Sequence, residues 1–278
     1  MNDLVKTRLD NKTLRTPEMK KQYFREILQE IALYSLSVNG FFEKALFRGG
    51  TELRLIHSLP RFSEDLDFLL RSPDEGFSWE RYESRITAAF QRFDLQPEIR
   101  RRKSTGGAIK AIMLLDTPDA VKDPSGRSGY TRIRLKIDTN PPAGAVAETG
   151  FLNFPIPHEL SIMDLPSSFA LKCHALLCRN WLKGRDWFDL LWFCSRNIHP
   201  NLQLFASSMK QSGPWEGQDI PMTEDWLLQK LREKTDIIDL KQAKLDVFPF
   251  VRAEERSAVE NWSREMFHHF LTDLFEPE

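Results

Sequence analysis

Two aspartates, Asp65 and Asp67, lie in an apolar stretch of this 278-residue chain and are separated by a single leucine. In an extended strand alternate side chains lie on the same face, so this spacing places both carboxylates on one side of the strand. Two neighbouring carboxylates repel each other unless a cation lies between them, and Mg²⁺ prefers such oxygen ligands. The pair therefore predicts a Mg²⁺ site, with Mn²⁺ as the alternative metal.

A glycine pair, Gly49 and Gly50, precedes the aspartates and leads through Thr51 into a short segment of helical character. Glycine allows close approach of a phosphate, and the backbone N–H groups at a helix N-terminus can bind it. Either feature alone often occurs without a functional role, because Asp-x-Asp often arises by chance and Gly-Gly most often marks a turn. In combination, a phosphate-binding turn and paired carboxylates indicate nucleotide chemistry.

The combined sequence resembles the signature of the polymerase-β-like nucleotidyltransferase superfamily, in which Gly-Gly-Thr is followed by aspartates alternating with apolar residues. The fuller string, from Gly49 through Leu59-Pro60-Arg61-Phe62-Ser63 to Phe68, is similar to one branch, the AbiEii/AbiGii toxin family. That family is the nucleotidyltransferase half of bacterial toxin–antitoxin and abortive-infection pairs. The resemblance implies an α+β fold, with a mixed sheet flanked by helices and followed by a helical C-terminal region.

The resemblance also implies roles for residues near the paired aspartates. Gly49, Gly50 and Thr51 would bind the β- and γ-phosphates of a nucleoside triphosphate, with Ser63 close to the same site. Glu52 follows the Gly-Gly-Thr sequence where many relatives carry a small residue. Its charge near phosphate leaves the preferred nucleotide open.

Residues 131–140 alternate between apolar and polar side chains, which predicts a strand with one core face and one polar face. Asp138 lies on the polar face, and spacing alone is equally well explained by an ordinary solvated strand. In the superfamily a third metal-binding carboxylate comes from a neighbouring strand. The resemblance therefore implies that Asp138 joins Asp65 and Asp67 as a metal ligand.

A second group of chemically capable residues begins with Lys172, which borders the apolar face of a predicted helix. A Lys-Gly-Arg-Asp turn follows, in which Asp186 is well placed as the N-cap of the next helix and Asp189 lies in its first turn. Position alone thus gives both acids a structural role. The block nevertheless resembles the second motif of the same toxin family, which implies that Lys172 contacts nucleotide phosphate and Asp186 is needed for activity. Asp189 is the other candidate acid, and Arg185 a further phosphate contact.

Composition excludes several classes of protein. The 39 basic and 40 acidic side chains give a net charge of −1, so no global charge indicates nucleic-acid binding. The odd cysteine count predicts reduced core thiols at Cys173, Cys178 and Cys194. The N-terminus has no apolar signal region, and no run approaches the ~18 apolar residues of a membrane span. We therefore expect a cytoplasmic protein without membrane contact.

Local signals predict several elements. Thr16 and Thr223, each followed closely by acidic residues, predict helix starts. Residues 97–103 and 108–116 are predicted as two strands of a hairpin joined at 104–107.

Two later segments set the predicted domain boundary. Residues 119–129 are predicted as an exposed loop, and residues 151–163 as one irregular strand that Pro155 and Pro157 confine to an edge or a bulge. Composition becomes helical near Asp164. We therefore predict an N-terminal helix plus nucleotidyltransferase core over residues 1–163, and a helical region over residues 164–278 that completes the active site.

The activity that the resemblance implies is metal-dependent transfer of a nucleoside monophosphate from NTP to an RNA end. The 3′ end of tRNA is the first candidate, and its modification would block translation; the partner would be an antitoxin protein. Three alternatives remain at this stage: nucleotide transfer to a protein or small molecule, phosphate transfer to the antitoxin or to the chain itself, and an inactive nucleotide-binding module.

Overall fold

A computed structural model describes residues 2–10, 16–101, 109–116 and 131–276, without the side chains of residues 115 and 116. The chain divides into two compact units. Unit 1 contains Met1–Ser58, Phe62–Pro141 and Glu148–Ile162. Unit 2 contains Leu59–Arg61, Pro142–Ala147 and Met163–Glu278. The chain therefore passes between the units several times.

Unit 1 is built on a mixed seven-stranded sheet with the order β3-β4-β5-β2-β1-β7-β6. Strand β2 pairs antiparallel with β1 and parallel with β5, and β1 pairs parallel with β7. The predicted mixed sheet is thus confirmed. The strands are β1 (Ala45–Arg48), β2 (Asp65–Leu70), β3 (Glu98–Arg101), β4 (Ile109–Asp116), β5 (Thr131–Asp138), β6 (Ala147–Leu152) and β7 (His158–Met163).

Helices accompany this sheet in unit 1: α1 (Asp3–Asp10), α2 (Pro17–Ser37), α3 (Gly50–Leu55) and α4 (Glu80–Gln91). The predicted start of α2 is confirmed, because the Thr16 side chain accepts a hydrogen bond from the Met19 N–H at 3.2 Å. Aromatic rings fill part of the core. The ring of Phe41 lies 4.8 Å from that of Phe68 and 5.6 Å from that of Trp79, between centroids.

Unit 2 is helical in the part of the chain that the structure describes. Its helices are α5 (Leu165–Cys178), α6 (Gly184–Cys194), α7 (Leu202–Gln211), α8 (Glu224–Asp236), α9 (Leu240–Val247), α10 (Ala253–Glu260) and α11 (Arg264–Phe275). Thr223 caps α8 as predicted, its side chain accepting from the Trp226 N–H at 3.2 Å.

One strand prediction is wrong. Residues 151–163 do not form one irregular strand but contribute to two, β6 and β7, with both prolines between them. Proline cannot donate a hydrogen bond to a neighbouring strand, so pairing stops where Pro155 and Pro157 occur.

The hairpin prediction is confirmed, since β3 pairs antiparallel with β4. Its turn at 104–107 and the predicted loop at 119–129 lie outside the described residues. Within those residues, none of the helices combines the length and apolar character needed to cross a membrane.

The three cysteines are unpaired, with Cys173 and Cys194 buried and Cys178 partly buried. Burial raises the pKa of Cys178 to about 11 and that of Cys194 to about 12. These thiols are therefore protonated at neutral pH and behave as small apolar groups.

Candidate active site

The glycine turn and the paired aspartates meet in unit 1. Antiparallel pairing of β1 and β2 places Arg48 opposite Asp67, and α3 begins directly after β1 with Gly49 as its N-cap. Gly49 has a φ of +89°, a conformation that side chains rarely adopt. A Cβ at this position would lie 3.2 Å from Asp67 Oδ2 and 3.3 Å from its Cβ. The turn thus packs directly against the Asp67 side chain.

The neighbours of the glycine turn are largely buried. The Thr51 hydroxyl donates to the backbone oxygen of Asp65 at 2.5 Å and joins α3 to β2. The Glu52 side chain is fully buried and lies 2.8 Å from His57 Nε2. Ser63 follows in the connection to β2, where its backbone oxygen accepts from Gln29 at 3.2 Å. The charge expected near phosphate at Glu52 therefore lies in the interior of unit 1.

Asp65 and Asp67 lie on one face of β2 and share a cation. The parallel register of β2 and β5 places Arg134 opposite Asp65 and Lys136 opposite Asp67. The Lys136 ammonium lies 2.5 Å from Asp65 Oδ2 and 3.7 Å from Asp67 Oδ1. The carboxylate side chains remain 26% and 32% exposed. A positive charge thus occupies the position between the carboxylates where electrostatics favour one.

Asp138 pairs in register with Leu69, further along β2 than either aspartate. Its carboxylate accepts from the Asn140 N–H at 3.0 Å. Among the described residues, no three or more His, Cys, Asp or Glu side chains gather as a metal-binding group. The structure thus brings Asp65 and Asp67 together without Asp138.

Lys172, Asp186 and Asp189 come together in unit 2. The Lys172 ammonium on α5 lies 3.2 Å from Asp186 Oδ1 and 2.5 Å from Asp189 Oδ2, both on α6. Arg61 binds Asp189 through two parallel hydrogen bonds, at 2.7 and 2.6 Å. Arg179 pairs with the remaining oxygen of Asp186. The result is a network of alternating charges, in which both members of the Arg61–Asp189 pair are buried.

The network determines the protonation of its members. Burial alone would raise the pKa of the Asp186 carboxyl, but Lys172, Lys183 and Arg179 outweigh burial and lower the pKa to about 2. Burial also opposes ionisation of Asp189, and Arg61 and Lys172 lower its pKa. Both acids are therefore ionised at neutral pH.

The predicted N-cap role of Asp186 is wrong. Helix α6 begins at Gly184 with Lys183 as N-cap, so Asp186 lies inside the first turn with its side chain in the charge network. Gly184 itself is needed for packing, since a Cβ there would lie 2.0 Å from the Ala243 backbone oxygen. Arg185 lies elsewhere, with its guanidinium 4.0 Å from the Phe250 ring centroid and 3.9 Å from Asp246.

Comparison with known proteins gives a match to one protein family. The sequence profile described as nucleotidyl transferase AbiEii toxin, type IV toxin–antitoxin system, matches residues 31–276. The chain belongs to the AbiEii family. It is a nucleotidyltransferase toxin by family. Comparison with curated proteins gives no match.

The AbiEii chain shares its fold with two solved structures, one of which is titled a nucleotidyltransferase toxin. MenT4, a nucleotidyltransferase toxin of Mycobacterium tuberculosis, is 17% identical with a TM-score of 0.52, and 98% of each chain is covered. JHP933 of Helicobacter pylori is 17% identical with a TM-score of 0.51, covering 92% of this chain and 90% of its own. The predicted fold class is confirmed.

Four basic residues belong to these clusters but were not predicted as site residues: Lys136, Arg134, Arg61 and Arg179. The alternation of β5 had placed Arg134 and Lys136 on a polar face, which is the one signal that could have indicated them. Arg61 is part of the AbiEii-like string, but nothing in its spacing indicates a pair with Asp189, 128 residues later. Arg179 gave no signal beyond its charge.

The donor set on β2 fits a magnesium ion in this AbiEii chain. Mg²⁺ is commonly bound through one or two carboxylates together with substrate phosphates and water. Asp65 and Asp67 supply two partly exposed carboxylates beside a glycine turn, and the Lys136 ammonium shows that the position accepts a cation. Two carboxylates are within the number that this mode of binding uses.

Proposed function

We propose that this AbiEii chain transfers a nucleoside monophosphate from a nucleoside triphosphate to an RNA acceptor, with the 3′ end of tRNA as the first candidate. The observation that carries the proposal is the pair of partly exposed carboxylates, Asp65 and Asp67, packed against the turn at Gly49. Modification of tRNA would stop translation, which accounts for a toxin and for an antitoxin protein as partner.

In the proposed reaction, an acceptor hydroxyl oxygen loses its proton to water and bonds to the α-phosphorus. The bond from that phosphorus to the oxygen bridging to the β-phosphate breaks, and pyrophosphate leaves. Asp65 and Asp67 would hold Mg²⁺, and Asp138 remains a proposed third ligand. The ion would supply a positive charge that stabilises the oxygens of the transferring phosphate.

The other proposed contacts are with the triphosphate. Gly49, Gly50 and Thr51, with Ser63 nearby, would bind it through backbone and hydroxyl groups. Lys172 would contact phosphate in competition with Asp186 and Asp189, which hold its ammonium in the free protein. Arg185 remains a proposed additional phosphate contact, and Asp186 the carboxylate of unit 2 that the activity is proposed to need.

The test is incubation of the purified protein with bulk tRNA, Mg²⁺ and each of the four α-labelled nucleotides in turn. We expect label on tRNA with the wild type, and at least about a 100-fold lower rate with Asp65→Asn or Asp67→Asn. Asp219→Asn, at a side chain that is almost fully exposed, is the matched control. The transfer rate of Asp138→Asn would report whether the Asp138 carboxylate takes part in the reaction.

The outcomes separate the alternatives. Failure to label tRNA with any nucleotide, despite nucleotide binding, would overturn the RNA acceptor and direct the search to proteins and small molecules. Transfer of γ-label in place of α-label would identify a phosphotransferase. A shift of the thermal midpoint by Mg²⁺ that Asp67→Asn abolishes would report metal binding independently of activity.

A further inference from the structure

Unit 2 contains a cavity of about 240 Å³ to which the proposed function assigns no ligand. It lies beside the C-terminal end of α5, the connection to α6 and the segment that joins α8 to α9. Its wall includes Asp186, which the charge network already neutralises, and Asp239, which caps α9. The cavity is also lined by three basic residues and two large apolar residues: Arg179, Lys183, Lys234, Trp181 and Ile237.

Two lysines of this cavity have no hydrogen-bond or ion-pair partner among the described residues. Lys183 and Lys234 are both partly buried. Neither ammonium forms a hydrogen bond or an ion pair within 4 Å with the residues that the structure describes. The pKa of Lys183 is lowered to about 8, mainly by burial. The positive charges of Lys172, Arg185 and Arg179 lower it further, whereas the negative charge of Asp186 raises it. A bound anion would relieve this electrostatic cost.

An exposed aromatic ring lies beside these charges. Trp181 is 67% exposed and Ile237 is 75% exposed, although both are large and apolar. The Arg179 guanidinium lies 5.2 Å from the Trp181 ring centroid, so the ring is partly supported but not covered. Grooves that bind single-stranded nucleic acid combine unpaired basic side chains with aromatic rings on which bases stack.

We propose that this cavity binds one nucleotide of the RNA acceptor, with its base against Trp181 and its phosphate near the ammonium groups of Lys183 and Lys234. The inference rests on the proposed function, since it assigns a binding site to the acceptor. The cavity is smaller than the roughly 300–1,000 Å³ typical of small-molecule sites, which favours a single base over a whole nucleoside triphosphate. The aromatic ring favours a nucleotide over an acidic peptide.

The experiment measures binding of a labelled single-stranded RNA by fluorescence anisotropy, without nucleoside triphosphate, at several salt concentrations. We expect Trp181→Ala to weaken binding about 5- to 150-fold. The double variant Lys183→Gln/Lys234→Gln should weaken binding and reduce the slope of log K against log[salt] by about 0.7 for each phosphate that the protein no longer neutralises. Phe151→Ala and Lys210→Gln, at similarly exposed positions, should bind as the wild type does.

The outcomes distinguish this site from the reaction. Unchanged RNA affinity in both the Trp181 and the lysine variants would overturn the site, even if the wild type transfers nucleotide. Reduced affinity in these variants of a protein that transfers nothing would support the site and overturn the transferase proposal. Tighter binding of an oligoglutamate peptide than of RNA at the same residues would overturn the nucleotide as ligand. Thermal unfolding of each variant separates a binding defect from a folding defect.

Discussion

The charge of the paired aspartates is partly balanced within the chain by Lys136 from the neighbouring strand. The ammonium contacts Asp65 closely and Asp67 more loosely, at 2.5 and 3.7 Å. A metal ion bound by both carboxylates would have to compete with it. The position of the Asp67 carboxylate therefore depends on two neighbours, Lys136 on one strand and Gly49 in the turn.

Gly49→Ala should reduce both the rate of nucleotide transfer and the stability of the protein. The added methyl group would strain a backbone with φ of +89° and press on Asp67, at 3.2 Å from Oδ2. We expect about 1–3 kcal/mol of destabilisation from the backbone and about a 10- to 100-fold lower transfer rate. Gly40→Ala is the control, since Gly40 has a φ of +72° but meets only the flexible Glu43 side chain. Equal rates for the two variants would contradict the role of Gly49 in placing Asp67.

The buried acid Asp186 should make stability depend on pH. Its pKa is about 2 in the folded chain against an ordinary value of 3.8. As pH falls from about 4 to about 2 the unfolded chain binds the proton first, so a contribution of about 2 kcal/mol present above pH 4 is lost. Urea unfolding of Asp186→Asn should show a shallower pH dependence than the wild type. Asp219→Asn should match the wild type, and equal slopes for all three would disprove the shift.

The start of helix α6 depends on the absence of a side chain at Gly184. Helix α9 approaches so closely that a Cβ would lie 2.0 Å from the Ala243 oxygen and 2.8 Å from its carbonyl carbon. Both atoms belong to the backbone, which cannot rotate away as a side chain can. The glycine of the Lys-Gly-Arg-Asp turn thus brings α9 against the helix that carries Asp186 and Asp189.

Gly184→Ala should therefore destabilise the protein by about 1–3 kcal/mol, although alanine favours helix formation by about 1 kcal/mol over glycine. The measurement is chemical unfolding beside Gly76→Ala, where only the Asp74 carboxylate lies near the added atom, at 3.2 Å. We expect the control to change stability by less than about 0.5 kcal/mol. A stabilised Gly184→Ala variant would show that the two helices separate at little cost.

Unit 2 is assembled from three separate stretches of the chain. The short stretches supply partners that the C-terminal helices need: Arg61 for Asp189, the Gly144 oxygen for the Asn201 amide at 2.9 Å, and the Val146 oxygen for the Asp164 N–H at 3.0 Å. The domain boundary between residues 163 and 164 remains a prediction. A chain cut at this boundary would separate the C-terminal helices from these partners.

A fragment of residues 163–278 should accordingly fail to unfold cooperatively on heating, as followed by near-ultraviolet circular dichroism. Removing one partner of a buried ion pair costs about 3–5 kcal/mol, a large part of the stability of a small domain. Adding residues 142–162 restores the two backbone acceptors but not Arg61. The intact chain is the control, and a cooperative transition in the shorter fragment would show that the helical region folds independently.

Local patterns in the sequence were enough to predict several features that the structure confirms. The alternation of residues 131–138 follows from the two-residue period of a strand, and the caps at Thr16 and Thr223 follow from hydrogen bonds that reach three residues along the chain. The Asp-Leu-Asp spacing gave two carboxylates on one face for the same reason. The mixed sheet followed from family resemblance rather than from local pattern.

Partners across the chain could not be predicted, because strand register and helix packing are set by the burial of many side chains together. The parallel register of β2 and β5 put Lys136, and not Asp138, opposite Asp67. The folding of a three-residue stretch into unit 2 joined Arg61 to Asp189. The sequence thus specified which charged groups are available, whereas long-range packing determined which opposite charges neutralise them.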